Sequence, residues 1–209
     1  LDLAMASSSE RKPEDYYQNI EKQWAEEFPS TESIEKVWEF YKECGYENPE
    51  KTLITILEKV KWTNNRVLDF GCDTGFMLDF ICKSNPNLTG VGVDINKAAL
   101  TQASKNFPQY TFDSFDGLTL PYEDKYFDLV FASAVIKHVR YEDRSKVYNE
   151  LKRVSRQVFF IDEDSKEQKE KTYENWTFYL SHFEQEFQSN FTPVFVHFEV
   201  GDILGLYKC

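Results

Sequence analysis

Val67-Leu68-Asp69-Phe70-Gly71-Cys72-Asp73-Thr74-Gly75 is the stretch that decides the fold of this 209-residue chain. Val67, Leu68 and Phe70 are strand formers around one acidic residue, and the strand runs straight into a turn with two glycines. Glycine lets backbone N–H groups approach a ligand with no Cβ in the way. The turn is not the dinucleotide fingerprint G-x-G-x-x-G, because Asp73 and Phe76 stand where that pattern needs glycine.

Downstream, short apolar runs alternate with helical stretches. Helices are expected near Phe76–Lys83, Asn96–Asn106 and Tyr141–Val154. Strands are expected within Leu88–Ile95 and at Tyr110–Phe112, Tyr126–Ala132 and Val158–Ile161. This alternation predicts an α/β fold, a doubly wound parallel sheet with right-handed crossovers. The charged stretch Asp162–Lys171 reads as a loop and Tyr173–Gln188 as a helix. Val194–Val200 and Ile203–Tyr207 are separated only by Gly201 and Asp202, too short a gap for a parallel crossover. These last two strands must be antiparallel.

Upstream, residues 13–62 read as helical. Tyr17, Ile20, Trp24 and Phe28 share one helical face, and Pro29 ends it. Ser33 and Gly45 bracket a second helix, with Ile34, Val37, Trp38 and Tyr41 on one side. A third runs from Pro49 to Val60. Trp24, Trp38 and Trp62 are assigned to packing. Leu1–Ser9 reads LDLAMASSS, and residues 1–12 are set aside as a disordered or extraneous end.

Composition narrows the function. The formal charge is −12, which disfavours nucleic acid and anionic membranes. No run of about 18 apolar residues is present, so no membrane-spanning helix is expected, and no signal peptide is read. Cys44, Cys72, Cys82 and Cys209 form no C-x-x-C pair, and His138, His182 and His197 form no metal-ligand cluster. Reduced thiols, a cytoplasmic location and no metal are the resulting expectations.

Two further segments carry chemistry. Val91-Gly92-Val93-Asp94-Ile95 ends the second strand in a carboxylate about 20 residues after the turn, the spacing at which an acid meets ribose hydroxyls in open α/β sheets. Phe115-Asp116-Gly117 then precedes Leu120-Pro121-Tyr122-Glu123-Asp124-Lys125-Tyr126-Phe127-Asp128-Leu129-Val130. Taken in this order and spacing, the three segments resemble the class I S-adenosylmethionine-dependent methyltransferases, most closely the small single-domain type. The resemblance covers residues 66–139 strongly and the closing strands consistently.

The resemblance implies a Rossmann-like seven-stranded sheet of order 3-2-1-4-5-7-6 with strand 7 antiparallel, residues 13–62 as an N-terminal helical lid, and residues 63–209 as the cofactor-binding core. It implies S-adenosylmethionine as cofactor and S-adenosylhomocysteine as product. Asp69, Gly71, Cys72 and Gly75 shape the turn under the methionine portion. Asp94 holds the ribose hydroxyls with Ile95 near the adenine. Asp116 meets the adenine amino group, flanked by Phe115 and Gly117. Ala132 and Ser133 lie near the methyl donor, His138 is the candidate base, and Tyr16 and Tyr17 match a tyrosine pair that closes over the cofactor. Asp73 stands where the family has glycine. Aspartate tolerates left-handed backbone, while its charge opposes the cofactor carboxylate.

The expected activity is methyl transfer to an O or N atom of a small molecule bound above strands four and five, in a monomer or homodimer. The alternative is a cofactor-binding or interaction protein of the same fold without transfer activity, which Asp73 favours. A Rossmann oxidoreductase is disfavoured by the failed fingerprint.

Overall fold

The computed structural model describes residues 16–19, 22, 31–173 and 176–209. Residues 16–19 and 22 are helical; the rest of the expected Glu14–Phe28 helix, with Trp24, and the stretch Leu1–Ser9 lie outside the described residues. Helix α1 spans Ile34–Glu43 and α2 spans Pro49–Leu57. Ser33 caps α1 by accepting the Lys36 N–H at 3.3 Å. Asn48 caps α2, with Pro49 in the first turn where its missing N–H costs nothing.

From Arg66 the chain alternates as expected: β1 Arg66–Phe70, α3 Phe76–Ser84, β2 Thr89–Asp94, α4 Lys97–Asn106, β3 Thr111–Ser114, β4 Phe127–Ser133, a 3-10 turn Ile136–His138, α5 Tyr141–Val154 and β5 Ser155–Glu163. Next come β6 Lys169–Tyr173, β7 Trp176–Leu180, α6 Phe183–Asn190, β8 Thr192–Glu199 and β9 Asp202–Lys208. The main sheet has seven strands in the order β3-β2-β1-β4-β5-β9-β8. Strands β1 to β5 pair in parallel, and β9 runs antiparallel to both β5 and β8. This is the expected topology, with the closing pair numbered later because two short strands intervene.

Those two strands correct the reading of Tyr173–Gln188 as one helix. β6 and β7 form a separate two-stranded sheet, with Lys169 opposite Leu180 and Lys171 opposite Phe178. Only Phe183–Asn190 is helical. Tyr179, Phe183 and Phe187 do recur at helical spacing, and that period suggests a longer helix. Trp176-Thr177-Phe178-Tyr179-Leu180 is instead a run of aromatic and β-branched residues that prefers the pleated state. The loop expected at Asp162–Lys171 is also shorter, since β5 extends to Glu163 and β6 starts at Lys169.

Strand alternation divides the core between the two faces of the sheet. Leu68, Val130, Val158 and Phe160 pack with Val147, Leu151, Phe183 and Phe187 of α5 and α6. Val67, Leu129, Phe131 and Phe159 pack with Leu53, Ile56 and Leu57 of α2 and Leu78 and Ile81 of α3. Helix α2 is therefore part of the layer that covers the sheet. Helix α1 buries no residue fully and lies over it, with Trp38 and Tyr41 packed partly against the same cluster.

Ile56→Ala should lower stability by about 2–5 kcal/mol, the usual cost of emptying a buried aliphatic site. Phe40→Ser in α1, where the ring is 62% exposed, should change it by less than about 0.5 kcal/mol. Urea unfolding measures both; equal small effects would detach α2 from the core.

Candidate functional site

The turn after β1 is held by its neighbour strand. Gly71 and Cys72 both donate their N–H groups to the Val93 carbonyl, at 2.8 and 3.0 Å. Gly71 has φ +80°, and a Cβ there would sit 2.4 Å from Val135 Cγ2, so only glycine fits. Asp73 takes the left-handed region at φ +47°, and Gly75 opens α3. The Asp73 carboxylate turns to the N-terminal segment, where Oδ2 accepts the Thr31 N–H at 3.2 Å and the Thr74 hydroxyl at 3.3 Å. Thr74 Oγ1 also donates to the Thr31 carbonyl at 2.7 Å.

Three carboxylates meet at this turn. Asp94 ends β2 and is 4% exposed; Oδ2 accepts the Asp73 N–H and Oδ1 the Asn96 N–H, each at 2.9 Å. Burial nonetheless pushes its pKa up to about 6, because the two N–H bonds offset only part of the desolvation. Asp69 is 2% exposed, and its Oδ2 has no hydrogen-bond partner among the described residues. Burial first, then the charges of Asp94 and Asp73, push Asp69 up to about 8. Among the described residues, the side-chain charges that act on Asp69 are thus both negative.

The other expected residues surround this turn. Cys72 is buried, and burial raises its thiol well above the usual range, so it packs rather than reacts. Ile95 is half-buried beyond β2. Phe115 packs on Phe70 with ring centroids 5.2 Å apart. Asp116 is exposed and accepts the Leu118 and Thr119 N–H groups at 2.8 and 2.6 Å. Tyr17 closes onto Gly117, where a Cβ would lie 3.0 Å from its ring, and its hydroxyl donates to Asp143 Oδ2 at 3.0 Å. Ala132 is buried, and Ser133 Oγ lies 2.7 Å from the Tyr41 hydroxyl of α1.

His138 sits in the 3-10 turn with its ring 4.8 Å, edge-on, from Phe178 of β7. Its carbonyl accepts the Tyr16 hydroxyl at 3.0 Å. Burial, helped by Lys137, lowers its pKa to about 3. The imidazole is therefore neutral near pH 7, the form that accepts a proton, and weakly basic.

Residues that patterning does not single out complete the site. Asp162, near the end of β5, is 1% exposed, accepts the Ile136 N–H at 3.0 Å through Oδ2, and has no partner for Oδ1 among the described residues. Burial pushes it up to about 7 against the lowering effect of Lys137 and Arg144. The signal available in the sequence was an acid near the carboxyl end of a parallel strand, where ligands bind in open sheets. Arg140 holds Asp143 at 2.8 Å and so fixes the anchor of Tyr17. No group of three or more metal-ligating side chains is found among the described residues. An open groove of about 560 Å³ lies elsewhere, between α5 and α6. In its lining Arg144 and Glu186 pair with each other, Lys166 and Glu167 are also present, and none of the three turn carboxylates lines it.

Residues 67–157 match the profile of a family described as "Methyltransferase domain". The chain is 32% identical over 126 residues to a malonyl-[acyl-carrier protein] O-methyltransferase of Legionella pneumophila. That match takes in 59% of this chain and 42% of the relative, so the chain spans about two fifths of the relative's length. Among solved structures, a protein of Pyrococcus horikoshii superposes with a TM-score of 0.64 at 19% identity, over 79% of this chain and 92% of that one. An S-adenosylmethionine-dependent methyltransferase from Clostridium acetobutylicum also gives 0.64 at 12% identity, over 84% and 97%. At these identities the superpositions establish the fold, which is that of S-adenosylmethionine-dependent methyltransferases.

The raised carboxyl groups give the chain a pH signature. Asp69 and Asp162 bind protons more tightly folded than unfolded, so their stabilisation is complete below about pH 4 and is lost as pH rises through about 7 and 8. His138, lowered to about 3, acts oppositely between about pH 3 and 6.5. Between pH 6.5 and 8 only the carboxyl effect of these groups remains. The thermal midpoint should fall across that window, and Asp69→Asn should flatten the fall; a midpoint that rises there would contradict the assignment.

Proposed function

We propose that the chain is a methyltransferase that moves a methyl group from S-adenosylmethionine to an N or O atom of a small molecule and releases S-adenosylhomocysteine. The observation that carries this reading is the cluster of Asp69, Asp73 and Asp94 around a glycine turn, in which Asp69 Oδ2 has no partner among the described residues. A buried charge needs a partner, and a ligand with an ammonium and a sulfonium group supplies one. The orphaned Asp69 Oδ2 fits such a cation.

When bound, the cofactor supplies an already activated methyl group. The chain's residues then bind, orient and exclude water. Asp94 would hold the ribose hydroxyls, with Ile95 beside the adenine. Phe115, Asp116 and Gly117 would flank the adenine, and Asp69, Gly71, Cys72, Asp73 and Gly75 would cradle the methionine portion. Ala132 and Ser133 would face the methyl, with Tyr17 covering the site. Thr31 and Thr74 draw the Asp73 side chain toward the N-terminal segment, which supports binding despite the departure from glycine. The N-terminal helices would cover the acceptor, α1 through the Tyr41–Ser133 contact. The net charge supports a soluble small-molecule acceptor rather than nucleic acid, and a cytoplasmic monomer or homodimer is the simplest setting. No helix among the described residues is long and apolar enough to cross a membrane.

Calorimetric titration with S-adenosylhomocysteine, with NAD as control, tests the reading. One-to-one binding is expected, and Asp94→Ala should weaken it about 30-fold, roughly 2 kcal/mol for a hydrogen-bonded charged group, with the fold checked by circular dichroism. Absence of binding at millimolar ligand would contradict the proposal. Binding with no transfer from S-adenosylmethionine to any amine, hydroxyl or carboxyl acceptor in a broad panel would favour a binding protein of the same fold.

A further inference from the structure

The proposed function leaves the buried carboxylate of Asp162 without a task. Asp162 lies on the other side of Ser133 from the glycine turn. In the sheet Ser133 pairs with Ile161, the residue before Asp162, and the Ala134 N–H reaches the Ile161 carbonyl at 2.7 Å. Asp162 therefore belongs at the acceptor end, beyond the residues that would face the methyl. Its Oδ2 is pinned by the Ile136 N–H, while Oδ1 is buried without a partner among the described residues. A buried carboxylate costs free energy unless something repays its desolvation.

The surroundings define the ligand class. The charged and titratable groups acting around Asp162 are Lys137 of the 3-10 turn, Arg144 and Tyr148 of α5, Asp202 of β9 and Tyr41 of α1. Asp202 accepts the Tyr46 hydroxyl at 2.8 Å, and the Tyr41 and Tyr46 rings meet edge to face at 5.0 Å. Arg144 is already paired with Glu186 at 2.9 Å, so the two carboxylates and the tyrosine rings outweigh Lys137 and suit a cation. They repel an anion, which counts against a carboxylate acceptor. They also give no route for an aliphatic hydroxyl, whose proton is held far too tightly for a carboxylate to take.

We propose that Asp162 is the acid–base residue for an amine acceptor, receiving through Oδ1 the proton that an ammonium group must lose before its nitrogen can be methylated. This rests on the methyltransferase reading above. The ammonium N–H bond breaks, both electrons stay on nitrogen as a lone pair, and the proton moves to the carboxylate to give a neutral acid. The methylated product carries its own positive charge, and Asp162 returns its proton to water as product leaves. A carboxyl group that titrates near neutral pH is well matched to this exchange.

The test uses the full chain saturated with S-adenosylhomocysteine and reads acceptor-site binding by calorimetry. The probes are benzylamine, tyramine and putrescine, with benzyl alcohol and benzoate as controls. At least one amine should bind, more tightly at pH 8 than at pH 6 as Asp162 loses its proton. In Asp162→Asn, which can still accept the Ile136 N–H, amine affinity should fall at least tenfold and its pH dependence should vanish. Affinity for S-adenosylhomocysteine should change less than twofold. Absence of binding by any of the amines, preference for benzoate, or unchanged amine affinity in Asp162→Asn would overturn the proposal. Failure of the wild-type chain to bind S-adenosylhomocysteine would instead overturn the underlying methyltransferase reading.

Discussion

Asp69 and Asp94 lie at the ends of two neighbouring parallel strands, with Asp73 in the turn after the first, and among the described residues no cationic side chain acts on Asp69 to balance the charge. Parallel pairing forces this crowding, since β1 and β2 finish at the same edge of the sheet. The turn responds by spending its own dipoles on the problem. The Asp73 and Asn96 N–H groups both go to Asp94, which leaves Asp69 partly unsatisfied and protonated at neutral pH. A fold optimised for stability alone would place apolar residues here, so the cluster reads as a site held ready for an outside cation.

The N-terminal segment depends on the same edge. Thr31 reaches Asp73, Tyr41 reaches Ser133, and Tyr17 presses on Gly117 while tied to Asp143. Each contact touches a residue expected to line the cofactor or methyl region. The α1 contact is made through a hydroxyl group on a helix that buries no residue fully, unlike α2, whose Leu53, Ile56 and Leu57 are locked into the core. Opening the site therefore asks far less of α1 than of α2.

Most of this architecture could be read from residues 66–161, where strands are short and apolar and helices carry clear caps and periods. The antiparallel closing pair also followed from a two-residue gap. The β6–β7 hairpin did not, because Tyr179, Phe183 and Phe187 mimic a helical stripe while the local β preference of residues 176–180 prevails. Within the site, Asp69, Asp94 and the glycines announce themselves by position. His138 is legible in the motif, while the lowered basicity of its ring follows only from its surroundings in the fold. Asp162 is hidden in the sequence. Its significance lies in burial and an unpartnered oxygen, which only tertiary structure reveals.

The central claim is that the carboxylate cluster awaits a cationic ligand. Proton release measures this directly, through titration with S-adenosylmethionine near pH 7 in two buffers of different ionisation enthalpy. A cation arriving beside protonated Asp69 should drive its proton off, so the account predicts net proton release with S-adenosylmethionine and none with neutral adenosine. Binding of S-adenosylmethionine without proton release, or equal release with adenosine, would contradict it.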